Sequence, residues 1–110
     1  DEFQNWWEGL KETQQDDVAA AVGVPAERGV ALGYPRSSSI RGSGIGLREL
    51  RVSSLGRPLR VFYAFDPRRS TVLLLGGDKT GHKRFYQEMI PRAERIFMAY
   101  RVETELDEEE

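Results

Sequence analysis

Between Arg36 and Arg84 the chain carries eleven lysines and arginines against three acids, Glu49, Asp66 and Asp78, a local net charge of +8. Residues 1–35 and 85–110 each carry −5, so the overall charge of −2 conceals a cationic middle between acidic flanks. That asymmetry points to a polyanionic partner. The residue types in the band suit phosphate. Arginine stays charged and presents a planar fork that grips phosphate oxygens in pairs. A lysine among other cations, as Lys79 is, has its charged form disfavoured and gains value as a base. His82 titrates in the range useful to an acid or a base. Tyr86 offers a ring face and a hydroxyl proton.

Other chemistries are closed off. The 110 residues contain no cysteine, which excludes disulfides, thiolate metal sites and a cysteine nucleophile, and fits a reducing cytoplasm. A single histidine argues against a histidine metal cluster, so neither metal nor cofactor is expected. No apolar run approaches the roughly 20 residues of a membrane span. The glycines of Gly42-x-Gly44-x-Gly46 lead into a strand rather than from a strand into a helix, which is not the dinucleotide fingerprint. Gly76 and Gly81 mimic a phosphate-binding loop, but His82 stands where its lysine belongs.

These residues need a scaffold, and hydrophobic periodicity predicts an α+β single domain. Phe3, Trp6, Trp7 and Leu10 form one helical stripe. Thr13 is then placed to cap a second helix, with Asp16 three residues on and Val18, Ala19, Ala21 and Val22 as its buried side. Together, residues 1–29 read as a helical hairpin. Gly23-Val24-Pro25 should stop or kink the second helix, and Arg28-Gly29 should end it. Residues 36–76 read as an antiparallel sheet: a short strand near Ser38–Arg41, then Leu47–Val52 and Leu59–Asp66. Leu59, Val61, Tyr63 and Phe65 share one face of the last, and Arg60, Phe62, Ala64 and Asp66 the other. Asp66-Pro67-Arg68-Arg69 is a turn, and the apolar Thr71–Leu75 is expected as a central strand covered on both faces. Residues 77–83 close a flexible basic loop running from Gly76 to His82. A C-terminal helical segment, 84–103, is expected to break near Pro91, and 104–110 is a solvated, frayed acidic tail.

In this order, LRELRV, RPLRVFYAFDPRRSTVLLLGGDKTG and KRFYQEMIPRAERI resemble the HigB-type, phage-Gp49-like branch of the RelE/ParE toxin superfamily. The resemblance covers about residues 2–103, including the helical hairpin. It implies a small antiparallel sheet, with two N-terminal helices packed on one face and a helix after the last strand. It also implies the toxin half of a bacterial type II toxin–antitoxin pair: a ribosome-dependent mRNA endonuclease, neutralised by a helix-turn-helix antitoxin of the HigA/Xre type. Carried over by residue, Arg60 resembles the strand arginine that contacts the scissile phosphate, Lys79 the basic residue of the following loop, and Tyr86 the tyrosine near the last helix. Arg48 and Arg51 resemble the basic pair of the preceding strand. Three departures stand out. The strand that usually precedes the hairpin is missing, so the chain reads as trimmed ahead of Asp1; Gly44 replaces a bulkier, often basic residue; and Pro25 interrupts a normally continuous helix. An attenuated toxin would account for the last two.

RNA can be cut without metal by its own 2′-hydroxyl. The enzyme must take a proton, stabilise a phosphorane and protonate the leaving 5′-oxygen. On this reading Arg60 and Arg51 stabilise the transition state, Lys79 is the preferred base, and His82 is an alternative acid or base. Tyr86 stacks on a base or donates a proton. Arg36, Arg41, Arg48, Arg57, Lys83 and Arg84 grip RNA. Trp6 and Trp7 read as core. Two rival functions are a non-nuclease toxin, either a ParE-like gyrase poison or a chain that only binds antitoxin, and a generic RNA-binding module. The last would want exposed aromatics among the basic residues of the sheet, which Phe62 alone offers.

Overall fold

The computed structural model describes residues 1–28 and 37–109. Seven elements follow in order: α1 (Glu2–Glu8), α2 (Glu12–Arg28), β1 (Ser37–Ser39), β2 (Arg48–Ser54), β3 (Arg57–Phe65), β4 (Thr71–Asp78) and α3 (Phe85–Glu109). The strands form one antiparallel sheet in the order β1-β2-β3-β4. This is the α+β arrangement expected from the sequence. Among the described residues no helix is long and apolar enough to cross a membrane.

The period-two pattern of β3 divides the core into two layers. Leu59, Val61 and Tyr63 join Leu50 and Val52 against Val18 of α2, with Phe3, Trp6, Trp7 and Leu10 packed around them. Phe62 and Ala64 turn the other way and meet Phe85, Met89, Ala93 and Phe97 of α3. Full burial of side chains as large as Phe62, Leu59 and Val61 contributes about 1.5–3 kcal/mol each. Trp6 and Trp7 are core, as expected. Of the predicted buried side of α2, Val18 is fully buried, Ala21 and Val22 are partly buried, and Ala19 is exposed.

The helix caps explain the breaks between helices. Asp1 caps α1 by accepting the Gln4 N–H at 2.7 Å, and Gly9 ends that helix. The cap of α2 differs from the expected Thr13, which lies inside the helix. Gln14 instead reaches back to accept the Lys11 N–H at 3.2 Å, the return arm of a capping box. Trp7 and Gln15 bind each other's backbone carbonyls through their side-chain N–H groups and fix the hairpin. Both prolines expected to break helices lie within continuous ones. Pro25 falls in α2 and Pro91 in α3. Met89 and Ala93, on either side of Pro91, are anchored in the same core cluster, so packing outweighs the lost hydrogen bond. Helix α3 also continues to Glu109, taking in backbone expected to fray. The end of α2 at Arg28 is as expected, while the glycine after it lies outside the described residues.

Strand β4 departs most from expectation. Among the described residues it lies at the edge of the sheet rather than its centre, although α1 and α3 cover its two faces, which is what its apolar run reports. A bulge at Leu74, between the partners of Phe62 and Tyr63, lets consecutive Leu74 and Leu75 enter the same α3-facing layer. The strand also continues through Gly76, Gly77 and Asp78, which sequence had assigned to a flexible loop. A Cβ on Gly76 would collide with the Trp6 indole, and one on Gly77 would press on Phe85 and Met89. The two glycines are where both helices approach the strand most closely.

Candidate functional site

Strand parity builds the site. Across the β2–β3 ladder Arg51 faces Arg60 and Glu49 faces Phe62, so these four side chains share the α3 face of the sheet. Past the edge of that layer, Tyr86 in the first turn of α3 sets its ring edge-on to Phe62, with centroids 6.2 Å apart. Arg60 Nε donates to the Tyr86 hydroxyl at 3.4 Å, while its Nη1 is held by the Leu59 carbonyl at 3.0 Å. Lys79 enters from the end of β4. Its backbone N–H extends the sheet by bonding the Pro58 carbonyl at 3.0 Å, and its ammonium lies 5.0 Å from the Tyr86 ring centroid. The expected loop is a tight turn: Asp78 accepts the Thr80 N–H at 2.9 Å, Gly81 takes φ +65°, and His82 bonds back to the Lys79 carbonyl at 3.1 Å.

Arg60 and Lys79 thus meet at Tyr86, and Arg51 stands opposite Arg60 on the same face. Paired with Arg51 is Glu49, which sequence reasoning passed over. It is 4 % exposed, and Oε1 lies 3.2 Å from Arg51 Nη2 and accepts from Ser38 Oγ at 3.4 Å. Arg51 also donates to Ser38 at 3.2 Å. The other carboxylate oxygen of Glu49, Oε2, is buried without a hydrogen-bond partner. The signal was available. Glu49 lies two residues before Arg51 on the same strand, which puts both on one face. Burial pushes the Tyr86 hydroxyl above its ordinary pKa, the Glu49 carboxylate pushes the same way, and Arg60 pulls against both. The phenol thus keeps its proton and remains a donor.

The other candidates disperse. Arg48 faces Tyr63 on the opposite side of the sheet. Its Nε donates to the Tyr63 hydroxyl at 3.1 Å, Nη1 to Ser39 at 2.8 Å and Nη2 to Ser37 at 3.3 Å, while the Ser37 and Tyr63 hydroxyls bond each other. Arg48 thereby ties β1 to β2 and β3, and the expected Arg48–Arg51 pair is split between faces. His82 turns to Glu88, 2.8 Å away, and lines a separate groove with Trp6, Gly77, Phe85 and Arg92. Arg57 is exposed and bridges to Asp78 at 3.4 Å. Arg41, Lys83 and Arg84 are exposed, and Arg36 lies outside the described residues. Gly44 lies in the exposed β1–β2 loop, and a Cβ there would meet nothing within 4 Å.

The arrangement is a helix-flanked antiparallel sheet with a strand arginine and a lysine against a tyrosine and a second strand arginine paired with a buried carboxylate. Residues 5–98 match the family described as phage derived protein Gp49-like. Two Mycobacterium tuberculosis (strain ATCC 25618 / H37Rv) proteins are similar to the chain. "Putative toxin HigB2" is 39% identical over 95 residues, covering 84% of this chain and 47% of that protein. "Putative toxin HigB3" is 34% identical over 96 residues, covering 86% of this chain and 82% of that protein. The chain thus spans about half the length of the first relative and most of the second. No solved structure matches it. The chain belongs to the phage-derived Gp49-like family, in the branch of its HigB-type relatives.

Proposed function

We propose that this chain is the toxin of a bacterial type II toxin–antitoxin pair and a metal-independent endoribonuclease that cuts mRNA on the ribosome in the cytoplasm. A helix-turn-helix antitoxin holds it inactive. The toxin role is supported by the names of its relatives. The nuclease role is supported above all by one observation, the placement of Arg60 and Lys79 against Tyr86 with Arg51 opposite Arg60 on the same face of the sheet. Three cations beside a proton-holding phenol suit a scissile phosphate whose charge grows in the transition state. Arg60 and Arg51 clamp that phosphate, Lys79 adds charge to the clamp, and Tyr86 protonates the leaving 5′-oxygen. Arg41, Lys83 and Arg84 hold the backbone of the RNA on either side. Inhibition follows from the same charge: an acidic antitoxin segment covers the cationic middle.

The test is mRNA cleavage on programmed ribosomes by this chain, Arg60→Ala and Lys79→Ala, with folding followed by circular dichroism. Cleavage by the parent and its loss in both folded variants is the expected result. A parent that binds antitoxin and leaves mRNA intact while stalling gyrase would overturn the nuclease reading in favour of a ParE-like target.

A further inference from the structure

Resting on that reading, we propose that Glu49 is the general base that takes the proton from the attacking 2′-hydroxyl. A structural role accounts for only half of its carboxylate. Oε1 is held by Arg51 and Ser38, whereas Oε2 is shut away from water and meets no donor at good hydrogen-bond geometry, the Tyr86 hydroxyl being close enough to feel the carboxylate; such a group costs stability. The other bases expected from sequence are engaged elsewhere. The Lys79 ammonium lies over the Tyr86 ring, and His82 is bonded to Glu88 outside the cluster. Around Glu49 are Arg51 and Ser38 in contact, Tyr86 within its electrostatic reach, and Arg60 bonded to Tyr86. Arg51 is about one-third exposed, so an arriving phosphate can draw its fork outward and open the carboxylate to the ribose.

The step is balanced. Oε2 accepts the 2′-hydroxyl proton, the 2′-oxygen forms a bond to the adjacent phosphorus, and the bond from phosphorus to the 5′-oxygen breaks. The leaving oxygen takes the Tyr86 proton. The products are a 2′,3′-cyclic phosphate and a 5′-hydroxyl end. Glu49 then releases its proton to water, and Tyr86 recovers one.

Single-turnover cleavage on programmed ribosomes separates this role from positioning. Glu49→Gln retains the shape and an oxygen for Arg51 and Ser38, and Glu49→Asp retains the charge but withdraws it by one methylene. Loss of a general base predicts a rate about 10²–10⁴-fold lower in Glu49→Gln at saturating ribosomes. Ribosome affinity and thermal stability should stay close to the parent's. The residual rate should climb with pH where the parent's levels off, because hydroxide replaces the missing base. Glu49→Asp should fall between the two. A Glu49→Gln rate within threefold of the parent's would overturn the assignment, as would a loss of ribosome affinity at intact saturated rate or a lowered rate with the parent's pH profile. A parent that cuts no mRNA removes the nuclease reading itself, and Glu49's role with it. A parent that cuts while Glu49→Gln is unimpaired removes only this proposal.

Discussion

Arg51 and Arg60 stand directly opposite each other across the β2–β3 ladder. Like charges so placed destabilise a sheet by about 0.2–1 kcal/mol, and Glu49 offsets the repulsion from one side only. The pair is therefore better suited to holding an anion than to holding the strands together. Replacing Arg51 by Ala should lower cleavage about 100-fold and also lower the melting temperature, because it leaves the buried Glu49 carboxylate without its counter-ion. Arg48→Ala should separate the two effects. It removes two hydrogen bonds to β1 and one to Tyr63 of β3, so the melting temperature drops while cleavage per folded molecule stays near the parent's. Thermal unfolding and single-turnover cleavage of the two variants, measured side by side, check both halves.

Tyr86 has two separable parts. Its ring edges Phe62 and lies under Lys79, and its hydroxyl carries the proton. Tyr86→Phe should keep stability within about 1 kcal/mol and lose about 10²-fold in rate, whereas Tyr86→Ala should lose rate and also destabilise through the emptied ring site. The raised pKa gives the sign of the pH effect: the phenol stays protonated through its ordinary value near 10. Ultraviolet titration of tyrosine in a variant with the other three replaced by Phe should show an ionisation above that value. A midpoint at or below 10 would contradict the burial and Glu49 effects.

Gly76 and Gly44 test space rather than conformation. At Gly76 any side chain must displace the Trp6 indole, so Gly76→Ala should cost about 1–3 kcal/mol in urea unfolding, and Gly76→Val more. At Gly44 the surroundings are open, so Gly44→Arg should fold with unchanged stability. Increased cleavage by that variant would show that the glycine attenuates the enzyme, and unchanged toxicity would remove the idea.

Acid should loosen the far end of the sheet. Asp66 accepts the Ser70 N–H at 2.8 Å, the Arg68 N–H at 3.0 Å and the Tyr100 hydroxyl at 3.0 Å, joining the β3–β4 turn to α3. Chiefly through the Ser70 bond, with Tyr100 and Arg68 adding to it, the folded-state pKa lies below the ordinary carboxylate value. A depressed pKa means that the unfolded chain binds the proton more readily. The contribution is thus fully present above the unfolded value of about 3.9 and is lost as pH falls through the folded value. Denaturation midpoints should be level from neutral pH to about 5 and drop below 4. In Asp66→Asn the midpoint at neutral pH should be lower and the acid drop shallower. An equally steep drop in that variant would place the acid sensitivity elsewhere.

Sequence by itself determined what local periodicity and composition can determine. Alternation in Leu59–Phe65 assigned every β3 side chain to its face, the stripe of Phe3, Trp6, Trp7 and Leu10 announced a helix with one buried side, and the charge count located the cationic band. The same parity rule already held the separation of Arg48 from Arg51 and the companionship of Glu49 with Arg51. Only the tertiary structure decided the rest. Strand order is a non-local choice, so the apolar run of β4 could not reveal that its cover comes from α1 and α3 instead of a further strand. Gly76 and Gly77 read as loop because their strand role depends on Trp6, Phe85 and Met89, and only the packed helices bring those side chains onto the strand. Pro91 reads as a break because a propensity counts the missing N–H and not the core contacts of Met89 and Ala93 that outweigh it. The candidate site follows the same division. The ladder set Arg51 against Arg60, but the docking of α3 brought Tyr86 to Arg60, turned His82 away to Glu88, and left Glu49 buried beside Arg51.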